Sequence, residues 1–208
     1  MPSPSPGATW VRRCAGLILV VAVAVAVAVA VAACRSGTGD TTSAERAGRD
    51  DARAALASHP MQTRTRIHRV HGRLPDARRK VVRAQVGAVV DRWWDAAFLG
   101  GSYPREAFPS AFPGFTAGAE ERAREDKALL TNQAHGARIE SVSPERKSVR
   151  LDILATDGRA RTVTAQFVLR FATTGERAGT TIVRGRLFLT RQRGGWRIFG
   201  YDVAKGAR

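Results

Sequence analysis

Apolar residues recur at intervals of three and four between Asp76 and Gly101. Val82, Val86, Val89, Val90, Trp93 and Ala97 form the stripe, with Phe98 beside it, while Arg83, Gln85, Asp91 and Asp95 fall mostly off it. That period predicts an amphipathic α-helix, stopped by Gly100 and Gly101. Pro104, Pro109 and Pro113 then allow only short helical turns. A second helix is expected over Ala117 to Leu130, with Thr116 as N-cap and Glu120 and Glu121 in its first turns.

Beyond that point the period changes to two. GARIESVSP and KSVRLDILATDG read as two strands separated by Pro144, with Val149, Leu151 and Ile153 on one face. In RARTVTAQFVLRFATTG, the residues Val163, Ala165, Phe167, Leu169 and Phe171 give five consecutive inward positions. TTIVRGRLFLTRQRGG and WRIFGYDVAKG complete the series. Asp157-Gly158, Thr174-Gly175 and Gly194-Gly195 supply hairpin turns between them. Arg170, Arg184 and Arg186 stand opposite or next to the apolar positions, so one face of the sheet is wet or meets a polar cavity. Helices followed by antiparallel strands make a single α+β domain over residues 77–206, with the helices on one sheet face.

The N-terminal pattern has neither period. Ala15 to Ala33 is an unbroken apolar run that includes VAVAVAVAVAVAA, flanked by Arg12 and Arg13 before and Arg35 after. Alternating Val and Ala gives two apolar faces, and the run is far longer than a strand. It is a membrane-directed helix, near the ~20 residues that cross a hydrocarbon layer. Arg12 and Arg13 put its start on the cytoplasmic side, leaving the domain outside. Two readings of residues 1–34 stand: an uncleaved anchor, or a cleaved signal. Val31-Ala32-Ala33-Cys34 resembles the end of a bacterial lipoprotein signal, which implies a lipidated Cys34 and a chain bound to the cell membrane. Residues 35–76 read as a polar and basic tether, opening with the flexible RSGTGDTTSA and holding a short helix at most.

Charge adds one element to this picture. The chain carries a formal net charge of +16, and Arg64 to Arg83 is its densest basic stretch, with Asp76 as its one acid. Close to a bilayer such a run is attracted to anionic head groups, at about 1 kcal/mol per basic residue near the surface. No nucleic-acid recognition motif accompanies it. The alternative is a solvated run in an arginine-rich composition.

The helix ending in Trp93, Trp94 and Phe98, the segment FPGFTAGAEERAREDKALLTN from Phe112 to Asn132, and the strand Gly195-Trp196-Arg197-Ile198 carry a family likeness. With the N-terminal anchor, they resemble the NTF2-like superfamily of SnoaL-like and ketosteroid-isomerase-like folds. Among these, the chain is similar to the membrane-anchored actinobacterial proteins that accompany Mce lipid-import systems. The resemblance implies a cone of helices on a curved antiparallel sheet, and a sheet through which two copies can pair.

Such cones serve enzymes, binders and scaffolds alike, so the chemistry has to come from side chains. Trp93, Asp95, Tyr103 and His135 are the candidates for lining a cavity. Asp91 and Asp95 share a helix face but lie off the apolar stripe, where a surface ion pair explains them equally well. Tyr201 and Asp202 are neighbours on a strand and so point to opposite faces. His135, at the start of a strand, is placed for a local hydrogen bond. Trp94 should be freer than Trp93, because the apolar stripe runs through the latter. His59, His68 and His71 sit among arginines without carboxylates, a poor setting for a metal. No cofactor motif is present either. The expectation is a non-catalytic, membrane-tethered accessory or scaffold of the cell envelope; a binder or enzyme using the cone is the alternative.

Overall fold

Residues 61–207 are described by the structure, a computed structural model. The apolar run Ala15–Ala33, Cys34 and the tether up to residue 60 lie outside the described residues. Among those described, no helix is long and apolar enough to cross a membrane.

Five strands form one mixed sheet in sequential order. They are β1 (Arg64–His71), β2 (Val142–Thr156), β3 (Arg159–Thr173), β4 (Gly179–Gln192) and β5 (Gly195–Ala207). β2 to β5 pair antiparallel, and β1 pairs parallel with β2. The inner face carries Val149, Leu151 and Ile153 from β2, then Val163, Ala165, Phe167, Leu169 and Phe171 from β3, all buried. β4 adds Val183, Leu187 and Leu189, and β5 adds Trp196 and Ile198. Helix α1 (Asp76–Trp94) lies on this face and buries Val82, Val86, Val89 and Val90. The architecture is therefore α+β with the helical layer on one side.

β1 changes the expected boundary. Arg64–His71 belonged to the anticipated tether, yet Ile67 and Val70 pack against the core and the strand extends the sheet. Its alternation (Thr65, Ile67, then Val70 after a register shift) is masked by the arginines on its other face. Gly87 of α1 permits the contact: a Cβ there would fall 2.9 Å from Thr65 Oγ1. The sheet is thus not wholly antiparallel.

Two further differences have local causes. Of the strand expected over GARIESVSP only Val142–Pro144 is extended, Gly136–Arg138 forming a 3-10 turn instead, and it runs on into the next as one strand, β2, with a register shift between Pro144 and Arg146. Pairing with β1 starts only at Ser148, so the missing proline N–H falls where β2 has a neighbour on one side only. The anticipated Ala117–Leu130 helix breaks at Asp126 into α2 (Ala117–Glu125) and α3 (Lys127–Leu130). Thr116 caps α2 as expected, its hydroxyl accepting from Ala119 N. The Asp157-Gly158 turn also forms, with φ of 53° and 67°, the left-handed pair a two-residue hairpin requires.

Trp93 and Trp94 are both fully buried, which corrects the view of Trp94 as the freer residue. Trp93 meets Phe98, Phe115 and Phe167 edge-on, and Trp94 meets Phe167 under the Lys147 ammonium. Phe115 comes from the long connection after α1, pinned to β5 where Thr116 N donates to Ile198 O and Ile198 N donates to Gly114 O. A π-turn over Asp95–Leu99 continues α1 and carries Phe98 inward, against Phe171. Each large apolar side chain buried this way contributes ~1.5–3 kcal/mol, and together they fill the space between helix and sheet.

Candidate functional site

The four cavity candidates do not converge. Trp93 is core. Asp95 sits at the end of α1 with its carboxylate largely exposed, 4.0 Å from Lys147 Nζ. Burial of the rest of the group raises its pKa; Lys147 counters this and Asp91 reinforces it. Tyr103 braces the π-turn. Its hydroxyl donates to Phe98 O at 2.7 Å, while Asn132 Nδ2 donates to the same carbonyl and to the Tyr103 oxygen. Burial raises the phenol pKa, partly offset by Asn132 and Arg105. His135 is not in a strand; it precedes a single turn of 3-10 helix at Gly136–Arg138.

Lys147 has a structural role that the sequence did not reveal. It is an inward position of β2 with only 10% of its side chain exposed, 2.8 Å from Asp91 Oδ1. The Thr63 hydroxyl donates to the same carboxylate. Asp91, for which a surface ion pair with a neighbouring arginine was an equal expectation, pairs instead with Lys147 and ties α1 to β2 and to the residue leading into β1.

The other face of the sheet holds a groove of about 1440 Å³ crossing all five strands. Strand register explains its chemistry. Arg66, Arg150, Gln166, Arg186 and Asp202 occupy one cross-strand row, and Arg64, Ser148, Val168, Arg184 and Ala204 the next. Neighbouring strands lie ~4.8 Å apart, so the side chains in a row stand shoulder to shoulder. Arg146 and Arg170 pair across β2 and β3 beyond them. Two acids answer this array: Glu145 pairs with Arg170 and Asp202 with Arg186, each at 2.5 Å. Among the described residues, Arg64, Arg66, Arg146, Arg150 and Arg184 have no carboxylate partner within 4.0 Å. Gln166 donates to Asp152, which also meets His68 Nδ1 at 2.8 Å, so that acid is already engaged.

The sequence put Arg170, Arg184 and Arg186 on a wet face but did not join them to Arg66 and Arg150, because β1 went unrecognised. It also treated Arg64 to Arg83 as one basic patch. The fold divides that stretch: Arg64 and Arg66 enter the groove face, while Arg78, Arg79, Lys80 and Arg83 belong to α1 in the helical layer. The groove thus presents an excess of guanidinium donors, with Glu145 and Asp202 already paired, an arrangement suited to anions. No metal-holding group of His, Cys, Asp and Glu occurs among the described residues. Comparison with protein-family models, with curated proteins and with solved structures finds no match to the chain.

Proposed function

We propose that this chain is a non-catalytic, membrane-tethered accessory protein of the bacterial cell envelope, with its NTF2-like domain on the extracytoplasmic side. The observation that carries the reading is the pairing of a filled interior with an arginine groove on the opposite sheet face. The interior is occupied by Trp93, Trp94, Phe98 and Phe171, all fully buried. The groove supplies five guanidinium groups without carboxylate partners among the described residues. Its partner is an extended acidic segment of another envelope protein. A bilayer surface is flat on this scale, whereas a depression crossing five strands matches a chain laid along it.

The Ala15–Ala33 run and Cys34 support anchoring at the cell membrane, by a helix or by lipid. The resemblance to Mce-associated proteins extends the proposal to a lipid-transport assembly, in which the domain holds a component in place.

Photocrosslinking in native membranes tests this. A benzoylphenylalanine at Val168, inside the groove, is expected to capture a partner through a peptide rich in Asp or Glu. The same group at Val81, exposed on α1, is expected to capture none. Equal capture from both positions, or none from Val168, contradicts the proposal. Mass spectrometry of the same material identifies the N-terminus as a diacylated Cys34 or an intact Met1.

A further inference from the structure

At the end of the sheet where β3 leads into β4 lies a second depression, of about 340 Å³. Asn132, His135, Thr173, Glu176, Arg177 and Lys205 contribute to its walls. The backbone fixes this corner. Arg177 N donates to Arg138 O, Glu140 N to Thr174 O, and Thr174 N to Ser141 O. The Thr173 hydroxyl closes the turn by donating to Arg177 O at 2.6 Å.

The side chains held there have donors to spare. His135 Nδ1 lies 3.1 Å from an Arg138 guanidinium nitrogen, and Nε2 lies 3.3 Å from one of Arg177. A guanidinium only donates, and a neutral imidazole offers a single lone pair. One contact is therefore a hydrogen bond, and the other sets N–H against N–H. The Lys205 ammonium donates to the carbonyl oxygens of Ala128 and Thr131, at 2.7 and 2.6 Å, which leaves its third N–H over. Among the described residues, neither Arg138, Arg177 nor Lys205 has a carboxylate within 4.0 Å.

Charge and size point to one ligand class. The wall residues Arg177 and Lys205 against Glu176 leave one net positive charge, and Arg138, which meets His135 from outside the depression, raises it to two, the complement of a phosphomonoester dianion. A tetrahedral phosphate accepts from donors in several directions, as a mixed arginine and lysine cluster presents them. The volume exceeds that of a phosphate group and leaves room for the organic part of an ester.

We propose that this corner binds a phosphomonoester, its phosphate held by Arg177 and Lys205 and its ester group lying toward Asn132 and Thr173. Bound there, the phosphate oxygens accept the N–H groups that His135 cannot. The site is independent of the arginine groove.

Calorimetric titration of the full-length protein in neutral detergent micelles tests it, with glycerol 3-phosphate as probe. Saturable binding is expected, weakened at least ~tenfold in Arg177→Gln and in Lys205→Met. Arg159→Gln, at the opposite end of β3, is expected to bind as the wild type does. Arg177 is exposed on a turn, so its variant keeps the fold, which a thermal melt verifies. The His135 ring resonances should move in the wild type as the probe binds. Dihexanoyl phosphatidate distinguishes the source of the phosphate. Affinity about equal to that of glycerol 3-phosphate indicates a soluble ester, and affinity at least ~tenfold tighter, again lost in Arg177→Gln, indicates a lipid head group. Absence of saturation, or equal weakening by Arg159→Gln and Arg177→Gln, overturns the proposal.

Discussion

Arg66 on β1 stands directly opposite Arg150 on β2, two like charges in register across the parallel pair. Like charges in that position work against folding, so neither residue is there for the stability of the sheet. Replacing Arg66 with Thr, a good strand residue, should stabilise the domain by about 0.5 kcal/mol while weakening attachment to the proposed acidic partner. Chemical denaturation and partner capture, run on the same variant, check the two opposite signs. A variant that loses stability would mean that the arginine pair is held by contacts of its own.

The Asp91–Lys147 contact should behave in the reverse manner. Lys147 is almost covered and its partner is only partly exposed, so removing the ammonium leaves a poorly solvated carboxylate beside Asp95. Lys147→Met is expected to cost about 1–3 kcal/mol. Adding Asp91→Asn should recover part of that loss, and a double-mutant cycle measures how much. Purely additive effects would rule out coupling between the two.

Gly185 is the position on β4 where backbone approach leaves no room for a side chain. A Cβ there would come within 2.0 Å of the Asp202 carbonyl oxygen, and φ is +154°. Gly185→Ala should therefore destabilise by about 2–4 kcal/mol. Gly118, on α2 with open space around it, provides the contrast: Gly118→Ala should stabilise by about 0.5 kcal/mol. Thermal melts of the two variants should move in opposite directions.

Lys205 makes stability depend on pH. Burial brings its pKa down to about 8 from 10.5. Between those values the unfolded chain holds the proton and the folded one does not, so raising the pH favours the folded state. Tyr201 acts in the other direction at higher pH. Burial and the Asp126 carboxylate push its pKa up to about 12 from 10.0, so the folded state keeps a proton that the unfolded chain loses. Denaturation midpoints should rise from about pH 8 to 10, and Lys205→Met should flatten the rise. An unchanged slope in that variant would assign the effect to other groups.

The parts of the fold that the sequence revealed are those with one clear period. α1, the inward set on β3 and the Asp157-Gly158 hairpin fall into this class. The missed parts needed non-local information. β1 alternates, but its arginines made it look like a solvated run, and only pairing with β2 shows the half-buried side. Trp94 could not be placed without the Phe167 ring from β3. The groove was legible only in fragments, because strand register, not spacing along the chain, brings Arg66, Arg150 and Arg186 into one row. His135 drew notice as a lone histidine, but its setting depends on Arg177, far along the chain.

Binding of a poly-glutamate peptide to the full-length protein in neutral nanodiscs tests the central claim most directly. Wild-type protein and an Arg150→Gln/Arg184→Gln variant would be compared at about 50 and 200 mM salt. Saturable binding that falls at least ~tenfold with salt, and at least ~tenfold in the variant, is the predicted result. Affinity unchanged in that variant, but lost in Asp95→Asn or Tyr103→Phe, would contradict a module that works through its outer sheet face.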